Sequence, residues 1–262
     1  MNKSALGDLL KQWRGLRGRS QLDISVDTGI SQRQISFIES GRSVPTRSTL
    51  IGIAQVLEIP LRERNALLLA AGYAPLYSDA AWNSDEMKAI GRALTRMLSQ
   101  HEPYPALVLD RYWNVVQTNE AAPRFFNCFM DLSRRPGPRN LLHLMFDPQG
   151  MRPFIANWEI VARALLQRVQ REAVGHVVDQ RTRDLIAELL AYPDVHSDWK
   201  APESLLPMIP ISFAKDGTIL NYFSLVTTVG TPQTIAAQEL RVECMYPADD
   251  ETEALHAKLL GH

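Results

Sequence analysis

Leu6, Leu9, Leu10, Trp13 and Leu16 recur at the spacing of one face of a helix, and the polar stretch Gly18-Arg19-Ser20 ends it. Ser20 precedes Asp23, and Ser31 precedes Gln34, by the three residues that separate a helix cap from its polar partner. Two short helices therefore start eleven residues apart, with Gly29 between them. Pro45-Thr46 opens a fourth helix through Leu57, and Pro60 a fifth through Ala71. Such close punctuation predicts a compact five-helix domain over residues 1–75, with a tight helix-turn-helix at its centre.

Gly72-Tyr73-Ala74-Pro75 breaks the helical run, and Asn83 with Glu86 makes a capping-box pattern for a further helix to Gln100. From Tyr104 the pattern changes. Ala106–Leu109 and Trp113–Thr118 read as strands around an Asp110-Arg111 turn. Helical periods follow over Asn119–Phe129, Arg139–Phe146, Met151–Glu172 and Val177–Tyr192. Strand-like runs over Met208–Ala214, Thr218–Thr228 and Ala236–Tyr246 close the chain, the first two joined by the hairpin signal Asp216-Gly217. Five strands with helices gathered between the second and third predict an α+β second domain over residues 76–262.

Within the helix-turn-helix, taken from Gln21, the fifth residue is Ser25, small enough for close helix packing. The ninth is Gly29, which can take the left-handed backbone of the turn. Ile24, Ile30, Ile35 and Ile38 fall where the two helices must bury apolar surface. With Ile35 and Ile38 inward, steps of 100° turn Arg33, Ser36 and Phe37 outward, with Gln32 and Gln34 on the flanks. Arg33 suits bidentate contact with guanine, Gln32 or Gln34 with adenine, and Phe37 a thymine methyl. The competing reading is a solvated helix face for the polar residues and an aromatic folded onto the domain for Phe37. Gln21, at a helix N-terminus, and Arg42 are candidate phosphate contacts, with Arg17, Arg19 and Arg47 as additions. Charge supports this: the formal total is −1, but residues 1–75 carry +4 and the remainder −5.

The run SQLDISVDTGISQRQISFIESGRSVP, Ser20 to Pro45, resembles the xenobiotic-response-element/Cro-repressor class of helix-turn-helix, with the likeness covering about residues 4–59. That resemblance implies a pair between an arginine of the first helix and a glutamate closing the recognition helix, here Arg14 and Glu39. Ser25 departs from it, since alanine is usual there. SQHEPYPALVLD (Ser99 to Asp110), the stretch Trp113 to Ala122, Ala156 to Trp158, Glu239 to Glu243 and Tyr246 to Asp249 resemble the MmyB-like ligand-binding domain. This implies a PAS-like antiparallel sheet with covering helices around an apolar pocket for a fatty-acid-like molecule.

Large apolar residues on the elements near such a pocket are Trp113, Phe125, Phe126, Phe146, Trp158 and Phe223, together with Leu142 and Leu225. Large apolar side chains around a sheet face are more often plain core than ligand lining, and none of these stands out as a site residue. A carboxylate on the ligand needs a cation, and Arg111, Arg124, Arg163 and His143 are all available. Chemistry for catalysis is missing: there is no G-x-S-x-G, H-E-x-x-H, P-loop or G-x-G-x-x-G, and the six histidines are scattered. His143, within an apolar helix, reads as a core histidine, and Asp249-Asp250-Glu251 as a solvated helix start. No catalytic residue, metal site or cofactor is expected beyond a small-molecule effector. Cys128 and Cys244 lack metal-ligand spacing and are expected as reduced thiols. No apolar run nears the ~18–20 residues of a membrane span, and the start MNKSALGDLL lacks a signal-peptide core. The expectation is a cytoplasmic, homodimeric, ligand-sensing regulator bound to double-stranded DNA. The alternative is a repressor whose second domain only dimerises or holds a protein partner.

Overall fold

A computed structural model describes residues 3–79, 82, 84–135, 139–173, 179–196 and 208–260. The chain divides into two compact units, residues 1–80 with 231–238, and residues 81–230 with 239–262.

The first unit is helical: α1 (Lys3–Leu16), α2 (Gln21–Thr28), α3 (Gln32–Glu39), α4 (Arg47–Val56) and α5 (Leu61–Ala70). Ser20 caps α2 with a complete capping box, its side chain accepting from the Asp23 amide and the Asp23 carboxylate from the Ser20 amide. Ser31 and Thr46 cap α3 and α4 through the amides of Gln34 and Thr49. Gly29 stands at φ 72°, where a Cβ would be strained, and its N–H closes α2 onto the Ser25 carbonyl. Ile24, Ile35 and Ile38 are buried with Leu6, Leu10, Trp13, Leu50 and Leu67, whereas Ile30 is only half covered. Pro60 has no side chain to cap α5, and the Gln238 carboxamide oxygen takes that role, accepting the Leu61 amide at 2.7 Å. Residues 231–238 thus belong with the helices, although their position in the sequence points to the second domain.

The second unit holds a five-stranded antiparallel sheet in the order β2-β1-β5-β4-β3. Its strands are β1 (Ala106–Leu109), β2 (Val115–Thr118), β3 (Ile211–Lys215), β4 (Thr218–Thr228) and β5 (Arg241–Pro247). Around it run α6 (Lys88–Gln100), α7 (Ala121–Asn127), α8 (Leu141–Phe146), α9 (Trp158–Arg171) and α10 (Gln180–Leu190). After these come the short α11 (Ile235–Glu239), which begins in the first unit, and α12 (Asp250–Leu260). One core joins the inward residues Leu107, Leu109, Phe213, Tyr222 and Met245 of the sheet to Phe125, Leu142, Phe146, Val161 and Leu189 of the helices.

Several elements depart from the sequence pattern for local reasons. The Trp113–Thr118 strand begins only at Val115, because the Asp110 carboxylate collects the amides of Tyr112 and Asn114 and holds Trp113 at φ 67°. The helix expected over Met151–Glu172 breaks at Ile155–Asn157, where Ala156 donates to the Ser212 carbonyl and Asn157 accepts the Ser212 amide. The strand expected from Ala236 starts at Arg241, since Thr234 caps a helical turn through the Ala237 amide. Asn83, half of the predicted capping box, lies outside the described residues; the helix proper begins at Lys88 after a tight turn over Asp85–Met87.

Candidate DNA interface and effector cavity

Helix α3 presents Gln32, Arg33 and Gln34 to solvent, with Ser36 and Phe37 half-buried beside them. The chain reverses after Glu39, and the amides of Arg42 and Ser43 both donate to the Phe37 carbonyl. That turn brings Arg42 back alongside its own recognition helix. The guanidinium of Arg33 lies 5.2 Å and that of Arg42 5.8 Å from the Phe37 ring centroid. Phe37 is therefore a platform for two cations as well as an outward aromatic.

The other DNA candidates separate. Gln21, half-buried at the start of α2, donates its carboxamide to Glu39 at 2.7 Å. Arg17 donates to the Leu57 and Glu58 carbonyls at the end of α4. Arg19 pairs with Asp27. Arg42 and Arg47 remain exposed. Glu39 is buried and receives Arg14 through both carboxylate oxygens, at 2.7 and 3.1 Å, the pair implied by the resemblance of the sequence. The paired oxygens hold the Arg14 proton above its usual range, against the cost of burial.

In the second unit a mostly apolar cavity of about 260 Å³ lies between β1, β2, α7 and α8. Leu107, Val115, Ala122, Phe126, Leu141 and Leu144 make its apolar wall, and Arg135, Arg139, Asn140 and His143 its polar part. An apolar cavity of ~150 Å³ already has room for a benzene-sized guest, and this one is larger. A second space of about 30 Å³ lies deeper, and Leu107, Phe126 and Leu141 border both.

The predicted ligand residues scatter across this region. Phe126 borders both spaces, and Trp113 the deeper one. Phe125 and Phe146 are fully buried and line neither; Phe125 packs edge-on to Phe126, Phe213 and Tyr222. Trp158 lies in an open groove with Arg152 over its ring. Phe223 touches the deeper space, but its ring stacks on Tyr246. Leu142 is core and Leu225 exposed. The wall residues Val115, Ala122, Leu141 and Leu144, and the cations Arg135 and Arg139, are absent from the sequence prediction; nothing in their spacing separates them from ordinary core and surface.

Beside the deeper space lies an ionic cluster. Arg168 bonds Glu243 and Glu172, and Arg241 bonds Glu172. Both guanidinium groups lie over Trp113, at 4.7 and 4.2 Å. Arg111 pairs with Asp179 and Glu239. Burial pushes the Tyr112 phenol up to about 12, so it stays protonated and donates to Asp179 at 2.9 Å. On the far side of the core, the Tyr222 hydroxyl donates to His256 Nδ1 at 2.7 Å, and His256 Nε2 donates to the Pro103 carbonyl. The buried core histidine is thus His256, while His143 is partly exposed.

Among the described residues no helix is long and apolar enough to cross a membrane, and no group of His, Cys, Asp and Glu could hold a metal ion. The model of the helix-turn-helix matches residues 10–64, and that of the MmyB-like transcription regulator ligand binding domain matches residues 90–259. No curated protein matches the chain. The matched ranges contain both the Arg33–Phe37–Arg42 surface and the apolar cavity. The chain belongs to the MmyB-like transcription regulators, with a DNA-binding helix-turn-helix ahead of their ligand-binding domain.

Proposed function

We propose that the protein is a cytoplasmic regulator whose affinity for a DNA operator changes when a small apolar or acyl-type molecule fills the 260 Å³ cavity. Gln32, Arg33 and Gln34 read base edges, while Arg42 and Arg47 contact phosphates. Two copies act together, because a pair of recognition helices about 34–36 Å apart reads two half-sites. The observation that carries the reading is the cavity itself, lined mostly by apolar side chains with a few polar ones among them. A second domain used only for dimerisation or a protein partner calls for a filled core instead. Native mass spectrometry of freshly expressed protein tests the reading. A dimer that releases a small apolar molecule on denaturation is expected; a monomer with no guest, unchanged by added medium-chain acyl compounds, contradicts it.

A further inference from the structure

Strands β4 and β5 are neighbours in the sheet, and Thr228 pairs with Arg241 where they meet their connection. A hairpin would join such strands in roughly two to five residues. Here the chain runs through residues 229–240 instead, and 231–238 of these pack in the first unit. They are firmly held there. Ile235 and Ala237 are buried, the Ile235 amide donates to the Ser78 carbonyl at 2.9 Å, and Thr234 caps the turn through the Ala237 amide. The Gln238 carboxamide oxygen accepts the Leu61 amide at 2.7 Å, at the end of α5 that Pro60 leaves without a cap. In turn α5 packs on α1, and α1 crosses α3 at Gly7 with no room for a Cβ against the Glu39 carbonyl. Arg14 and Glu39 tie the same two helices. Gln238 therefore heads a packed series that ends on the recognition helix.

The next residue belongs to the second unit. Glu239 meets Arg111 Nη1 at 2.8 Å, and Arg111, its side chain only 2% exposed, also holds Asp179. Leu240 is buried, and Arg241 opens β5 with Nη1 on Glu172 and its guanidinium over Trp113, which borders the deeper space. One peptide unit, about 3.8 Å between Cα atoms, separates the cap of α5 from a buried ion pair of the sheet domain. Movement of β5 at Arg241 reaches Gln238 with little slack to absorb it.

We infer that the Gln238–Glu239 step is the link through which the sheet of the second unit and the recognition helix respond to each other, with Gln238 a positioning residue for α5. The inference rests on the first unit reading DNA and is independent of what fills the cavity. By reciprocity, a duplex bound at α3 must then alter β5. Hydrogen exchange of the full chain, with and without a duplex selected from a random pool, tests it. The proteins compared are the wild type, Gln238→Ala, Gln238→Glu and a variant with two glycines inserted between Gln238 and Glu239. In the wild type the duplex should slow amide exchange in α3 and, by about fivefold or more, at Leu240–Glu243. Gln238→Glu keeps an acceptor oxygen at the positive end of α5 and should retain both effects. Gln238→Ala removes the acceptor, and the glycine insertion adds slack between two intact contacts. Each should keep the effect at α3 and lose the one at β5. Should Gln238→Ala unfold α3, the insertion, which keeps every side chain, carries the test. Unchanged β5 exchange in the wild type with α3 protected, or a β5 effect that survives the disrupting variants, overturns the inference. A duplex that leaves α3 exchange unchanged in the wild type removes the DNA reading, and the inference falls with it.

Discussion

Arg168 and Glu243 meet through two parallel hydrogen bonds of 3.0 Å, joining α9 to the centre of the sheet out of contact with most solvent. Breaking one side of such a pair leaves the other charge buried and alone, at a cost of about 3–5 kcal/mol. Glu243→Ala should therefore lower the urea midpoint of the second unit sharply. Arg168→Met combined with Glu243→Leu should recover much of the loss, because apolar replacement of a whole buried pair is often near neutral. A Glu243→Ala protein as stable as the wild type would show that the pair contributes nothing.

Arg14 and Glu39 make the same argument for the first unit, with Glu39 buried and also held by Gln21. Arg14→Ala should cost roughly 3 kcal/mol, a large share of what a domain of this size possesses. Helical circular dichroism and DNA affinity should fall together on mild warming. Loss of DNA affinity with undiminished thermal stability would mean that Arg14 contacts DNA instead.

The arginines flanking Phe37 should divide in their effects on DNA. Arg33→Ala is expected to cost about 1–3 kcal/mol at one base position and to relax specificity there. Arg42→Ala should weaken all sequences alike and flatten the salt dependence by about one unit. Because both guanidinium groups lie on the Phe37 ring, Phe37→Ala should show both effects at once. Competition binding against duplexes varied one base pair at a time, at several salt concentrations, separates these outcomes.

Asp179 links pH to stability in the second unit. Burial opposes its charge, but the Thr182 amide and hydroxyl, then Arg111, outweigh that and hold the carboxyl below its ordinary value. A depressed folded value stabilises above the unfolded value of about 3.9, and the gain is lost as pH falls through the folded one. Stability from this source should be level from neutrality to about pH 4 and then decline. Asp179→Asn should flatten that acid limb in urea titrations at successive pH values. An unchanged limb would assign it to other carboxylates.

Much of this architecture is legible in the sequence because its signals are local. Caps at Ser20 and Ser31, the left-handed Gly29 and the Asp216-Gly217 hairpin each depend on a few neighbouring residues. What the pattern missed depends on distant partners. Ala236–Glu239 looks like the start of a strand, but Ile235 donates to the Ser78 carbonyl and residues 235–238 pack as a helical turn in the first unit. Gln21 and Glu39, eighteen residues apart, share a hydrogen bond that no local pattern announces. Phe125 and Phe126 are adjacent and chemically identical, yet only the second borders the cavity.

Coupling between the cavity and DNA reading is decided by the affinity of the full chain for a duplex selected from a random pool, measured by anisotropy with and without saturating decanoate. Allosteric coupling of ordinary size shifts such an affinity about 5- to 150-fold. A shift of at least about fivefold in the wild type, abolished in Leu144→Phe, is the expected result. The same DNA affinity with decanoate demonstrably bound would contradict it, leaving a helix-turn-helix and a ligand site that act independently.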